Sequence, residues 1–252
     1  MGQNTYKDVI VKRVTINGWV RCGNRWLTRL LMCYADKPEE NYEAFFYQNY
    51  WLAKVTPVYF GHPMEIQISH LGVGSYKEID DDTYVIHTKR NPQDAFVSWH
   101  HMLLQSSVLR GNERTWKGYL SWLTTQPLHP FREYTEGWLA MEEKSPRRFL
   151  WTSHEYAKDN KAEELLRLMK GMDMQEDLQR AEFAASILNA DANRPSVTPG
   201  TKRRGESVWK YYYDAQDVQF IEHEYGDLIS KLGYSDKDWD ILARKESKWP
   251  EF

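Results

Sequence analysis

Apolar and polar positions along this chain follow two rhythms, short β-prone runs and longer stretches with helical spacing. Residues 9–16 read as a strand, 18–25 as a loop, and Trp26, Leu27, Leu30, Leu31 and Tyr34 then fall on one helical face, which predicts a βα unit. A second unit, at 83–102, is sharper. Val85 and Ile86 lie in a β-prone run, Asn91 suits an N-cap, Pro92 suits the first helical position, and Asp94 follows three residues after the cap. Ala95, Phe96, Trp99, Met102 and Leu103 recur at i, i+1, i+4, i+7 and i+8, so one apolar stripe is expected to face a core. Residues 64–69 read as a short strand ending at His70. Helices are predicted at about 92–106, 112–124 and 132–144, followed by a strand at 148–152. Leu165, Leu166, Met169 and Met172 mark another helix, Phe183 and Ile187 a further one, and Phe220, Ile221, Leu228, Ile229 and Leu232 the last. This alternation predicts an α/β fold with a central parallel β-sheet flanked by helices.

Two segments break the rhythm. Residues 41–60 are crowded with aromatics, among them Tyr42, Phe46, Tyr50 and Trp51, apolar enough to wall a cavity. Residues 189–208 hold prolines, glycines and the basic triplet Lys202-Arg203-Arg204, and read as a mobile loop able to close over something negative.

A length of 252 residues fits a single domain, 1–252. A net charge of −3 with 27% charged residues argues against a protein that coats nucleic acid, so any anion site must be local. Cys22 and Cys33 match neither a disulfide framework nor zinc-ligand spacing, which suits a reducing compartment. The N-terminus has no apolar core of signal-peptide length, position 6 is Tyr6 where myristoylation favours Ser or Thr, and no apolar run approaches membrane-spanning length. The expectation is a cytoplasmic protein with no membrane or nucleic-acid partner. The triplet 80–82 reads as a solvated turn, and adjacent His100 and His101 diverge on a helix without an HExxH or cysteine cluster, so no metal is expected.

Candidate chemistry gathers at the two βα turns. Gly18-Trp19-Val20-Arg21-Cys22-Gly23 has the glycine spacing of a phosphate-binding loop between strand and helix. Asn24 and Arg25 then stand where a nucleotide triphosphatase needs Lys and Ser or Thr, which excludes Mg²⁺-dependent NTP hydrolysis and leaves a phosphate cradle or a plain tight turn. Arg90 precedes the Asn91 cap, so its guanidinium and the helix-start N–H groups are expected to point at one volume suited to a phosphate.

Taken together and in order, these segments resemble the sulfotransferases that use 3′-phosphoadenosine 5′-phosphosulfate (PAPS), over nearly the whole chain. Val20 to Trp26 resembles the family's PKSGTTW or PKSGNTW loop, and Arg90-Asn91-Pro92-Gln93-Asp94-Ala95-Phe96-Val97-Ser98-Trp99 resembles its RNPKDxxVSY. Ile68 to Gly72 resembles KTHLP, and Lys202 to Lys210 resembles RKGxxGxWK, in either of two registers. The resemblance implies a P-loop-like sulfotransferase fold and transfer of a sulfuryl group from PAPS to a hydroxyl or amine of a small-molecule or carbohydrate acceptor. Adenosine 3′,5′-bisphosphate (PAP) would be the product, and no metal would be needed. It implies His70 as general base, and Arg21 as the cation at the leaving group. Cys22, Gly23, Asn24, Arg25 and Trp26 would cradle the 5′-phosphosulfate, with Trp26 stacking on adenine. Arg90 and Ser98 would anchor the 3′-phosphate, joined by Lys202, Arg203, Arg204 and Gly205, while His154 and Phe183 would meet the adenine. Phe46, Tyr50, Trp99 and His101 are the expected acceptor contacts, and a homodimer is within the family's habits. Arg21, Cys22, Arg25 and Ile68 replace the family's usual Lys, Ser, Thr and Lys, so a non-catalytic PAP-binding module of the same fold is the alternative.

Overall fold

The computed structural model describes residues 12–35, 54–55, 58–59, 62–70, 72, 83–126, 130–144, 148–192 and 208–234. In chain order the elements are β1 (Lys12–Asn17), α1 (Asn24–Tyr34), β2 (Lys54–Val55), β3 (Val58–Tyr59), β4 (His62–Ser69), β5 (Thr83–Lys89) and α2 (Pro92–Gln105). There follow a 3₁₀ turn (Gly111–Arg114), α3 (Trp116–Thr125), α4 (Phe131–Lys144), β6 (Phe149–Ser153), α5 (His154–Asp159), α6 (Lys161–Gly171) and α7 (Leu178–Ala192). A second 3₁₀ turn (Val208–Tyr211) and α8 (Ala215–Lys231) complete the described chain.

β1 is the middle strand, parallel to β4 on one side and to β5 on the other, and β6 is parallel to β5. Short β2 and β3 run antiparallel to β4. Register puts Asn17 beside both Ser69 and His87, and Lys89 beside Ser153. The residues that leave the sheet next, Gly18, His70, Arg90 and His154, therefore emerge along one edge. From β1 the chain goes to β4 on one side and then crosses back to β5 on the other, and such a switch point opens a crevice at the carboxyl ends of the strands.

The sheet is covered on both faces, as parallel strands require. One face packs Val14, Ile16, Ile66 and Ile86 against Leu27, Leu30 and Leu31 of α1, Leu165, Leu168 and Met169 of α6, and Ala181, Ala184 and Leu188 of α7. The opposite face is aromatic: Phe96, Trp99, Tyr119, Phe131, Trp138, Trp209 and Tyr213 all belong to one buried cluster there. Trp19 enters it from the first βα turn, with ring centroids 5.3 Å from Phe96 and 5.2 Å from Phe131.

The cap of α2 is as the sequence predicts, with Asn91 accepting from Gln93 N–H and Pro92 opening the helix. Its burial is wider than one stripe. Gln93, Asp94 and His100 are buried beside the apolar residues because other segments bond them or their backbone. Asp94 Oδ1 accepts from Trp209 N–H at 2.9 Å, Gln93 O accepts from Tyr213 OH at 3.3 Å, and His100 Nε2 lies 3.1 Å from Arg114 O. The helix expected at 112–124 begins later, because Thr115 caps it by accepting from Gly118 N–H and a 3₁₀ turn precedes it. Among the described residues no helix is long and apolar enough to cross a membrane, and no group of three or more His, Cys, Asp or Glu could hold a metal ion.

Candidate active site

The turn between β1 and α1 is shaped by two glycines. A Cβ on Gly18 would collide with Thr88 Oγ1 and Asn24 Oδ1 and stand 2.8 Å from Thr88 O, so only glycine lets the turn lie against β5. Gly23 has φ +97° and faces His154, whose Nδ1 would be 2.5 Å from an added Cβ. Arg21 is also left-handed, with φ 68°, and Cys22 N–H closes the turn on Trp19 O at 3.1 Å. No side chain caps α1, and its first turn holds no acid. An uncapped helix start presents backbone donors and the positive end of the helix dipole, which together favour an anion. Cys22 is no nucleophile here: burial pushes its thiol up to about 12, against the lowering effect of Arg90.

Asn24 ties three strand ends together. Its Nδ2 donates to Gly18 O at 3.0 Å and to Ser69 O at 2.9 Å, and its Oδ1 accepts from Thr88 Oγ1. His70 Nδ1 lies 2.9 Å from Gly18 O and 3.2 Å from Asn24 Nδ2. Both amide hydrogens of Asn24 already serve carbonyls, so His70 Nδ1 is the nitrogen that donates to Gly18 O, which leaves Nε2 as the lone-pair nitrogen of the neutral ring.

The two βα turns touch. Arg90 Nη1 donates to Arg21 O at 3.2 Å, and Arg21 Nε donates to Ser98 Oγ at 2.9 Å. His154, beside Arg90, has its pKa lowered to about 4, first by burial and then by that guanidinium, so it is neutral at pH 7. Trp26 meets it edge-on, centroids 5.6 Å apart. His101 is likewise lowered, by burial and then by Arg21.

A cleft of about 300 Å³ lies where these groups converge. Arg21, Gly23, Asn24, Arg25 and Trp26 line it from the first turn, and His70, Arg90, Trp99 and His154 from the other strand ends and α2. Cys22 is buried behind the turn, and Ser98 reaches the cleft through Arg21. His101 is half-buried, its ring 5.3 Å from that of Tyr212. Phe183 is 57% exposed on α7 and does not line the cleft. Phe46, Tyr50, Lys202, Arg203, Arg204 and Gly205, and most of 189–208, lie outside the described residues. Trp209, which follows that segment, is fully buried against α2. Sequence reasoning missed Val20 and Met102, which also line the cleft, and the bonding roles of Asn24 and Thr88. The strand–turn–helix context gave a signal for Val20; Thr88 had none.

The family model described as the sulfotransferase domain matches residues 12–228, nearly the whole described chain. This chain belongs to the sulfotransferase domain family. The activity that goes with the domain is transfer of a sulfuryl group. Solved structures agree on the fold. Mouse sulfotransferase SULT7A1 complexed with PAP is 13% identical, with 88% of each chain covered and a TM-score of 0.62. Retinol dehydratase in complex with androsterone and inactive cofactor PAP is 15% identical, over 95% of this chain and 83% of that one, with a TM-score of 0.54. A sulfotransferase from Alicyclobacillus acidocaldarius is 12% identical, over 92% of this chain and 100% of that one, with a TM-score of 0.52. No curated protein matches this sulfotransferase by sequence. At such low identities the solved structures speak for the fold alone.

Proposed function

We propose that this sulfotransferase takes its sulfuryl group from PAPS and gives it to a hydroxyl or amine of a small-molecule or carbohydrate acceptor, with His70 as general base. The observation that carries the reading is the junction of the two βα turns, Arg90 to Arg21 to Ser98, at the wall of one cleft that also contains His70. The residues fit a nucleotide with phosphates at two positions. The uncapped start of α1 and the glycine cradle at Gly23 suit one anion, Arg90 and Ser98 suit a second, and beside Gly23 the buried Nδ1 of His154 has no hydrogen-bond partner.

Bound PAPS would supply an electrophilic sulfur on a phosphate leaving group. The turn from Arg21 to Trp26 would hold the 5′ end, its N–H groups and the Arg21 guanidinium neutralising charge that grows on the bridging oxygen. Arg21 keeps the cation that the family's lysine supplies, in a larger planar fork. Ser98 fixes that fork in place. Arg90 would grip the 3′-phosphate, a remote contact that spends binding energy on geometry. Asn24 holds the Gly18 and Ser69 carbonyls so that His70 presents the basic Nε2, ready to take the acceptor's proton. Retinol dehydratase, which shares the fold at 15% identity, is solved with androsterone, and that is in keeping with a small-molecule acceptor.

The non-catalytic alternative draws on Ile68, which is buried in the sheet beside Ile16 and offers no charge. Incubation with radiolabelled PAPS and pooled phenols, alcohols, sugars and amines separates the two. Label on an acceptor, with PAP released, is the expected outcome. PAP binding without transfer would leave only a binding module, and no PAP binding would remove both readings.

A further inference from the structure

Next to the Arg90 turn, and not lining the cleft, lies a partly buried acid that none of the roles above uses. Glu155 stands in the first turn of α5, next to His154, and both oxygens of its carboxylate accept hydrogen bonds. Oε1 accepts from Asn91 N–H at 2.8 Å, while Oε2 accepts from Ser153 Oγ at 2.8 Å and from Tyr234 OH at 2.9 Å. Burial works against its ionisation, but the donated hydrogen bonds, led by that of Asn91, prevail and hold the carboxyl below its usual range. The bond to Asn91 is the informative one. A helix with Glu155 in its first turn gains from the negative charge locally, yet the N–H it accepts from is 64 residues away, at the cap of α2. Asn91 is thus fixed twice, its side chain on Gln93 N–H and its own N–H on Glu155.

Further neighbours of this acid come from the end of β5 and from the residues just past α8. Lys89 Nζ donates to Leu232 O at 2.8 Å and lies 5.9 Å from the ring centroid of Tyr234, and Tyr234 returns its hydroxyl to Glu155. The residues on either side of Arg90, Lys89 and Asn91, are therefore held by residues 155, 232 and 234, none of which lines the cleft. A carboxylate near an anion site would repel the ligand if it were loosely solvated. Here its three acceptor bonds point it at backbone and hydroxyl donors, so it acts on the ligand through the placement of the turn.

We propose that Glu155 is a positioning residue for the second phosphate: its carboxylate, braced by Tyr234 just past α8, sets where the Arg90–Asn91 turn stands and so makes the C-terminal helix part of the nucleotide clasp. The proposal rests on the reading of Arg90 as the 3′-phosphate contact. It distinguishes Glu155 from an acid with only a structural role, whose loss weakens the whole site alike.

The test is calorimetric titration of the full chain with PAP and with adenosine 5′-phosphate, which lacks the 3′-phosphate. Wild type is expected to prefer PAP. Glu155→Gln keeps the shape and one acceptor oxygen but loses the charge. It should weaken PAP roughly tenfold, as for a lost charge-assisted bond, and leave adenosine 5′-phosphate within about twofold. Tyr234→Phe removes one hydroxyl from a residue that does not line the cleft and should show the same selective loss at roughly threefold. Glu155→Asp, which restores charge on a shorter arm, should recover part of the preference. If both nucleotides weaken equally in Glu155→Gln and Tyr234→Phe, or neither does, while wild type still prefers PAP, Glu155 is not a positioning residue. If wild type itself does not prefer PAP, the Arg90 reading is what fails, and the proposal falls with it.

Discussion

The two helix entrances that meet in the cleft are built in opposite ways. α1 opens from a turn with two left-handed residues, Arg21 and Gly23, and without a side-chain cap. α2 opens with Asn91 as cap at negative φ, Pro92 at its first position and Glu155 on the cap's own N–H. An uncapped entrance leaves its backbone to a ligand, so it contributes N–H donors and a dipole. A capped entrance has part of its donor set engaged, here the N–H groups of Asn91 and Gln93, and adds the side chain that precedes it, Arg90. One cleft therefore binds through backbone on one side and through a guanidinium on the other. Substitutions at the two entrances should fail in different ways.

The largest expected effect lies between the entrances, at His70. His70→Ala should lower turnover by roughly 10²–10⁴ and leave PAP affinity within a few-fold; steady-state rates and calorimetry on the same preparation check both, and an undiminished rate would remove His70 as base. Next comes the side-chain entrance. Arg90→Ala should weaken PAP binding by roughly 1.5–3 kcal/mol, as for a hydrogen bond to a charged group, and equal affinity in variant and wild type would place the second phosphate elsewhere. At the backbone entrance, Gly23→Ala puts a Cβ on a left-handed residue against the His154 ring. It should cost roughly 1–2 kcal/mol of stability from the backbone alone, read by denaturant unfolding, and PAP affinity should fall with it. An alanine tolerated in both measurements would show that the turn's conformation is not what binds. The smallest effect should be Asn91→Ala, about 1 kcal/mol of stability for a lost cap. The stability change should exceed the change in PAP affinity, because Glu155 still holds the Asn91 N–H. The reverse order would mean that the cap side chain itself meets the ligand.

Much of this was legible in the sequence because it is local. The βα rhythm, the Asn91-Pro92 start and the glycine spacing at 18 and 23 each depend on a few consecutive residues, and the elements formed within a residue or a few of where periodicity placed them. What could not be read depends on separation along the chain. Thr88 meets Asn24 across 64 residues, Trp209 meets Asp94 across 115, and Glu155 meets Asn91 across 64. For the same reason α2 was expected to have one buried stripe and is buried nearly all round: its polar positions are hidden by segments whose arrival no periodicity announces. The reading of Arg21 and Arg90 as two halves of one site came from motif order, and the bond between Arg90 and Arg21 O is the physical counterpart of that order.

A crystal structure of the protein with PAP tests the central claim most directly. The account predicts the 5′-phosphate on the backbone of residues 21–26 at the start of α1, with the 3′-phosphate on Arg90 and Ser98 in the same molecule. A nucleotide bound with either phosphate outside the cleft between the two turns would contradict it.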